Sequence, residues 1–246
     1  MSSPRSTLAL SPLEEERFGV RTVRVNELVA ADLSEVLAFC RSHAVRMLIA
    51  RCRAEDLGAA QACEEAGGRL MDTLVYYGLD LARQSGSVLE TTAAIRLARA
   101  EEADELCAIA ASAFQGYRGH YHADPRLDPA ACDAAYTSWV RRSLLDRSVA
   151  DAVFACLVDG RVAGFATMRR NSPEEGEGVL FGVAPWAQGR GIYRDLIRRG
   201  VRWCQAEGCA RMVVSTQVTN VAVQKVWVRQ GFEPTHAHYT FHLWPA

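Results

Sequence analysis

Residues 179–197 read Val-Leu-Phe-Gly-Val-Ala-Pro-Trp-Ala-Gln-Gly-Arg-Gly-Ile-Tyr-Arg-Asp-Leu-Ile, and this stretch decides the fold. The apolar run over residues 179–183 predicts a strand, and the spacing of Ile192, Leu196 and Ile197 predicts a helix. The first amides of a helix have no intrahelical partner, and the helix dipole is positive at this end. A glycine-bearing turn between strand and helix therefore predicts an anion site. An ordinary connection between the two elements is the alternative.

The turn itself carries groups that suit a phosphate. Gly189 and Gly191 allow the backbone to come close to an anion, and Arg190 adds a permanent positive charge. A Rossmann or P-loop site fits less well, because the chain has neither Gly-x-Gly-x-x-Gly opening a βαβ unit nor Gly-Lys-Ser/Thr. The residues predicted to bind phosphate are Gln188, Gly189, Arg190, Gly191, Ile192 and Tyr193.

This stretch resembles the acetyl-CoA-binding motif of the GNAT N-acetyltransferases, a strand ending in Val-x-Pro followed by Gln/Arg-x-x-Gly-x-Gly/Ala at a helix start. Val183, Pro185, Gln188 and Gly191 match, whereas Tyr193 stands where the family prefers Gly or Ala. Further matches follow downstream at Asn220, Ala222, Lys225, Gly231 and Phe232. The resemblance implies an α/β (α+β) GNAT fold, with a mixed central sheet and flanking helices, and acetyl-CoA as co-substrate.

Alternating strand and helix patterns also precede this region. Residues 18–81 predict a β-α-β-α-β set that resembles half a GNAT domain, whereas the polar residues 1–17 are predicted to be loose. A Gln-Ser-Gly-Ser stretch within residues 82–90 is typical of a linker. We therefore predict a small N-terminal α/β domain over residues 1–86 and a GNAT acetyltransferase domain over residues 92–246.

Composition excludes several functional classes. The net charge is −1, so the chain as a whole does not favour nucleic acid or an anionic membrane. The eight cysteines show no Cys-x-x-Cys spacing, which favours reduced thiols. His236, His238 and His242 alternate along one segment without neighbouring carboxylates or cysteines, so no metal is predicted. No signal peptide or long apolar span is evident, and we predict a cytoplasmic protein.

An unusual insert occupies residues 114–127, Phe-Gln-Gly-Tyr-Arg-Gly-His-Tyr-His-Ala-Asp-Pro-Arg-Leu. In a GNAT fold this region lies over the acceptor cleft. We therefore predict that Arg118, His120, Tyr121 and His122 bind the substrate. A packed structural loop is the alternative.

The insert and two later segments also indicate a particular branch of the GNAT family. Tyr121 to Arg126, Ser215-Thr-Gln-x-x-Asn220 and the C-terminal Tyr-Thr-Phe-His-x-Trp are similar to segments of the TDP-fucosamine N-acetyltransferases and related nucleotide-sugar acetyltransferases. This resemblance implies a small-molecule amine, a nucleotide-linked amino sugar, as acceptor, with Gln217 among its contacts. It is also compatible with a homodimer. An antibiotic, amino acid or peptide amine is the alternative acceptor.

For acetyl transfer, the resemblance implies that backbone groups of Phe181 and Val183 bind pantetheine and polarise the thioester. Period-two alternation places Glu177 on the same face as these residues, and we predict that it is the general base, directly or through water. His120 and His122 are rival bases. A solvated residue at the strand end is the alternative for Glu177.

The general acid departs from the family pattern. Most members carry a Tyr seven residues after the motif Asn, whereas this chain has Trp227 after Asn220. An indole N–H donates a hydrogen bond but does not release a proton usefully. We therefore predict that Trp227 positions and packs within the catalytic site, and that Asn220 belongs to the cofactor site. A CoA-binding protein with little turnover is the remaining alternative.

Overall fold

The computed structural model describes residues 7–83 and 93–245. The strands are β1 (Thr7–Leu10), β2 (Thr22–Asn26), β3 (Met47–Arg53), β4 (Arg69–Asp80), β5 (Ala94–Leu97), β6 (Ala152–Val158), β7 (Arg161–Ser172), β8 (Glu175–Val183), β9 (Arg211–Gln217) and β10 (Glu233–Leu243). The helices are α1 (Pro12–Phe18), α2 (Leu33–Ser42), α3 (Leu57–Glu65), α4 (Ala103–Ala113), α5 (His120–Ala123), α6 (Pro129–Leu145), α7 (Ile192–Ala206) and α8 (Val221–Arg229).

All these strands form one mixed sheet in the order β1-β2-β3-β10-β4-β9-β8-β7-β6-β5. The C-terminal strand β10 lies between β3 and β4 and is antiparallel to both. The sheet therefore continues from the N-terminal segment into the C-terminal one. The division into domains over 1–86 and 92–246 stays a prediction, and its boundary lies outside the described residues.

The predicted β-α-β-α-β order holds for β2, α2, β3, α3 and β4. The prediction that residues 1–17 are loose is wrong from residue 7 onward, where β1 and α1 form. Glu14 explains why this polar segment folds, because its carboxylate is buried and pairs with Arg24. Residues 1–6 lie outside the described part of the chain.

Separate apolar clusters fix the helices on the sheet. Helices α2 and α3 pack on β2, β3 and β10, and α4 packs on β6, β7 and β8. Helices α7 and α8 pack with β4, β7 and β9, where Trp227 is fully buried. Burial of these large side chains, at about 25 cal/mol per Å² of apolar surface, holds both ends of β8 and β9 in place.

The parallel strands β8 and β9 pair only over part of their lengths. Their register runs from Glu175 opposite Arg211 to Gly178 opposite Val214, although β8 continues to Val183 and β9 to Gln217. The strands therefore part toward their C-terminal ends. Beyond Gly178, the backbone groups of β8 that face β9 have no strand partner there.

Candidate active site

The predicted phosphate turn has the backbone that an anion site needs. Gly189 and Gly191 adopt φ angles of 76° and 77°, in the left-handed region that favours glycine. Gly191 is the N-cap of α7, and the first helical bond runs from the Asp195 amide to the Gly191 carbonyl at 3.1 Å. The amides of the first turn thus have no intrahelical acceptor. Arg190 is exposed beside them.

A cluster of aromatic side chains fills one side of the gap between β8 and β9. The ring of Phe181 lies 5.6 Å from that of Tyr193, and the Trp227 Nε1–H donates to the Tyr193 hydroxyl at 3.2 Å. Trp227 also packs against Tyr77, with ring centroids 5.5 Å apart. Burial raises the pKa of Tyr193, so its phenol stays protonated near neutral pH. Sequence reasoning assigned the backbone of residue 193 to the cofactor and missed its phenol.

Polar groups occupy the other side of the gap. The Gln217 Nε2–H donates to Asp72 Oδ2 at 3.3 Å. The Asn220 Nδ2–H donates to Thr216 Oγ1 at 3.0 Å, and the Tyr117 hydroxyl lies 3.4 Å from the same oxygen. Asp72 was not predicted from the sequence, because a lone acidic residue on β4 belongs to no recognisable motif.

Glu177 does not share a face with Phe181, which corrects the alternation argument. The register between β7 and β8 shifts where Thr167 faces Leu180 and Met168 faces Gly178, leaving an irregularity at residue 179. A Cβ at Gly178 would lie 2.7 Å from Phe181 Cζ, so residues 178 and 181 face the same way. Glu177 therefore faces the other way, and it pairs with Arg169 at 2.6 Å. Its role as base stays a prediction.

The insert packs against the C-terminal strand through a buried network of polar side chains. His120 Nδ1 lies 2.9 Å from His242 Nε2, and His242 Nδ1 lies 2.8 Å from Asp124 Oδ2. The Trp244 Nε1–H also donates to Asp124 Oδ2, at 2.8 Å. Burial alone would raise the pKa of Asp124, but hydrogen bonds from His242, Trp244 and the Arg126 amide lower it to about 2. Burial, followed by the charge of Arg51, lowers the pKa of His120 well below its usual value.

The other predicted substrate residues of the insert differ in their surroundings. Tyr121 is buried and its hydroxyl donates to Glu14, while its ring lies 5.0 Å from that of Phe18. His122 Nε2 lies 3.0 Å from Asp133 Oδ1. Arg118 is exposed. Part of the insert is thus structural, as the alternative held, and the substrate contacts stay predictions.

Within residues 7–83 and 93–245, no group of three or more His, Cys, Asp or Glu side chains is arranged to hold a metal ion. In the same ranges, no helix is long and apolar enough to cross a membrane.

Known proteins resemble this chain in sequence and fold. The model of the acetyltransferase (GNAT) family matches residues 103–232. The spore coat polysaccharide biosynthesis protein SpsD of Bacillus subtilis (strain 168) is 24% identical over 80% of this chain and 66% of its own length, so the chain spans just under two thirds of that relative. The dTDP-fucosamine acetyltransferase of Escherichia coli O6:H1 is 24% identical over 91% of this chain and 92% of that protein. A tandem GNAT protein from the clavulanic acid biosynthesis pathway shares the fold, with a TM-score of 0.63 and 16% identity over 93% of this chain and 76% of that one.

A mixed sheet whose parallel strands part beside an anion-binding helix start is the architecture of an acyl-CoA-dependent transferase. The chain belongs to the GNAT acetyltransferase family, a family that uses acetyl-CoA as co-substrate. The predicted family, fold and cofactor are confirmed. The turn at residues 188–193 fits the pyrophosphate, since its left-handed glycines leave the backbone uncovered and the α7 amides lack acceptors.

Reversing the charge at the turn is expected to weaken acetyl-CoA binding. Arg190→Glu replaces an attractive group with a repulsive one, and loss of a charged contact corresponds to about a 10- to 100-fold rise in Kd. Calorimetry with acetyl-CoA measures this. Arg202→Glu, on an exposed position of the last turns of α7, is the matched control and should bind normally. Equal affinity of Arg190→Glu and wild type would remove Arg190 from the phosphate site.

Proposed function

We propose that this acetyltransferase transfers the acetyl group of acetyl-CoA to the amino group of a nucleotide-linked amino sugar of the dTDP-amino-dideoxysugar type. The similarity to dTDP-fucosamine acetyltransferase over 91% of the chain supports this acceptor class. The observation that carries the proposal is the acceptor side of the gap, where Tyr117 and Tyr136 stand beside Gln217 and Asp72. Aromatic rings pack on the apolar faces of deoxysugars, and polar groups fix their orientation.

A half-buried cation on the same sheet face suits a diphosphate. Arg51 stands opposite Thr240, which in turn stands opposite Asp72, so the three side chains lie in one row. The Arg51 Nε–H donates to Thr240 Oγ1 at 3.4 Å. Among the described carboxylates, none lies within 4.0 Å of the Arg51 guanidinium. An uncompensated guanidinium at this depth is a natural partner for a nucleoside diphosphate.

In this mechanism β8 and α7 hold the co-substrate. The α7 amides and Arg190 bind the pyrophosphate, and backbone groups of Phe181 and Val183 that β9 leaves unpaired bind the pantetheine and polarise the thioester carbonyl. Asn220 supports the C-terminal end of β9, on the other side of the gap, through its hydrogen bond to Thr216. The acetyl-CoA supplies the activated acyl group, and the protein supplies orientation and proton transfer.

Tyr193 donates the proton that the departing sulfur needs. Its hydroxyl oxygen accepts the Trp227 N–H, and its own hydrogen has no acceptor among the described residues. The phenol is therefore held in place and free to donate toward the gap. Trp227 is the positioning residue, because its N–H also favours the phenolate that forms when the proton leaves. This assignment places the acid on α7 rather than on α8.

A screen of dTDP- and UDP-amino sugars with acetyl-CoA, followed by free thiol release, tests the proposed function. Acetylation of a dTDP-4-amino-4,6-dideoxysugar is expected, with the 4-hydroxy analogue as the negative control. An aminoglycoside, an amino acid and a peptide amine belong in the same screen. Turnover of one of these, with all amino sugars left unacetylated, would replace the proposed acceptor.

A further inference from the structure

Two buried oxygen atoms beside the gap have no hydrogen-bond partner. They are Asp72 Oδ1 and Gln217 Oε1, and both are inaccessible and unpaired among the described residues. Gln217 is only 9% exposed. Both atoms are acceptors, because the Gln217 amide nitrogen already donates to the other oxygen of Asp72. A buried acceptor left without a donor destabilises the folded protein, and a carboxylate oxygen does so more than an amide oxygen. A pair of orphaned acceptors therefore marks a place for a donor.

The pair lies where the acceptor amine must arrive. Gln217 stands opposite Leu74 on β4, and Asp72 shares the face of Leu74. On the other side, β8 and β9 are in register at Gly178, and extending the strands past the extra residue 179 of β8 places Phe181 about level with Thr216, the neighbour of Gln217, across the gap. The two oxygens thus face the part of the site where the Phe181 and Val183 backbone holds the thioester.

The chemistry of the pair selects a positively charged donor. A carboxylate oxygen and an amide oxygen together match an ammonium group, which offers several N–H donors and neutralises the buried charge. Burial raises the pKa values of the nearby Tyr117 and Tyr136 phenols, so both stay protonated near neutral pH. The insert covers the pair, since a Cβ at Gly119 would lie 2.9 Å from the Tyr136 hydroxyl and 3.5 Å from Gln217 Nε2.

We propose that Asp72 and Gln217 bind the ammonium group of the acceptor, and that Asp72 Oδ1 takes its first proton. This inference rests on the proposed acetylation of an amine. The nitrogen loses two protons as the C–N bond forms and the C–S bond breaks. The first passes to Asp72 and then to solvent, and the second, carried by solvent, restores to the Tyr193 phenolate the proton that the sulfur received. Gly78 is the position of β4 level with Glu177, and it lies six positions along the strand from Asp72. Six positions span about 20 Å of strand, so Glu177 does not contact the same nitrogen.

The decisive experiment is the pH dependence of kcat/KM for the amine in Asp72→Asn. Asn keeps the shape and still accepts from Gln217, but it cannot take a proton. At pH 7 kcat/KM for dTDP-4-amino-4,6-dideoxygalactose should fall about 10²–10⁴-fold, with the KM for acetyl-CoA unchanged. The deficit should shrink as the pH approaches the pKa of the amine, because the free amine no longer needs a base. Asp80→Asn, at the exposed end of the same strand, is the matched control.

A second variant separates binding from proton transfer. Gln217→Leu should raise the KM for the amine about 10-fold and leave the shape of the pH profile unchanged. Calorimetry on the CoA complex adds a readout without turnover: wild type should prefer the amino sugar to its 4-hydroxy analogue, and Asp72→Asn should lose that preference.

The contrary results are distinct. If kcat/KM of Asp72→Asn still falls at low pH as it does in wild type, whereas Glu177→Gln no longer shows this fall, the base is Glu177 and the inference is wrong. If Asp72→Asn weakens acetyl-CoA and amine binding equally, the pair is structural. If wild type acetylates no amino sugar, the proposed function fails, and the comparison is made on whichever amine of the screen is turned over. An enzyme that acetylates none of them overturns both.

Discussion

Tyr193→Phe is expected to lower kcat for acetyl transfer by about 10²-fold or more, because general acid catalysis contributes at least this much. Phe keeps the ring that packs near Phe181 and removes only the hydroxyl that accepts the Trp227 N–H. The KM for acetyl-CoA should therefore change little. Single-turnover thiol release at saturating substrates measures the effect. A variant with normal kcat would show that the thiolate leaves without help from this phenol.

A double variant tests whether the position of the phenol, or only its presence, matters. The motif that this chain resembles has a small residue at position 193 and a Tyr at position 227. Tyr193→Ala combined with Trp227→Tyr recreates that arrangement and should recover much of the activity lost in Tyr193→Ala alone. Trp227→Phe is the companion variant, which keeps the Tyr193 phenol but removes its N–H donor, and a smaller loss of kcat is expected. Failure of the double variant with folding intact would contradict an exchangeable acid.

Local patterns predicted the parts of the site that depend on a few adjacent residues. The turn around Gly189 and Gly191 was predictable because positive φ angles and free helix amides require a glycine-bearing sequence followed by an amphipathic helix. The fold followed from the same stretch. The β1 and α1 elements were missed because their stability comes from a distant ion pair of Glu14 with Arg24, which no local pattern displays.

The features of the site that the sequence did not predict depend on contacts between residues far apart in the chain or on local irregularities of the sheet. Tyr193 and Trp227 are 34 positions apart, and only the packing of α7 against α8 brings the phenol to the indole. Glu177 was assigned to the wrong face because one irregularity opposite Thr167 reverses the alternation, and a single extra residue leaves no trace in composition. Asp72 became a candidate only when its unpaired oxygen was seen beside Gln217.

Asp124→Ala is expected to lower the free energy of unfolding by about 3–5 kcal/mol, because it removes the acceptor at the centre of a buried network. His242, Trp244 and the Arg126 amide all donate to this carboxylate, and Asp124 and His242 are almost fully buried. Urea unfolding at pH 7 measures the change. Asp133→Ala is the matched control, because its carboxylate is 72% exposed although it also contacts a histidine of the insert, and less than about 1 kcal/mol is expected there.

The pH dependence of this difference has a definite sign. The pKa of Asp124 is about 2 in the folded protein, below its ordinary value of 3.8. A carboxyl group with a lowered folded pKa stabilises the protein above its unfolded pKa, and this contribution is lost as the pH falls through the folded pKa. The stability difference between wild type and Asp124→Ala should therefore be constant above about pH 5 and shrink between about pH 4 and pH 2. A difference that stays constant down to pH 2 would mean that the buried carboxyl is not preferentially ionised in the folded state, and that the network stabilises this region by packing alone.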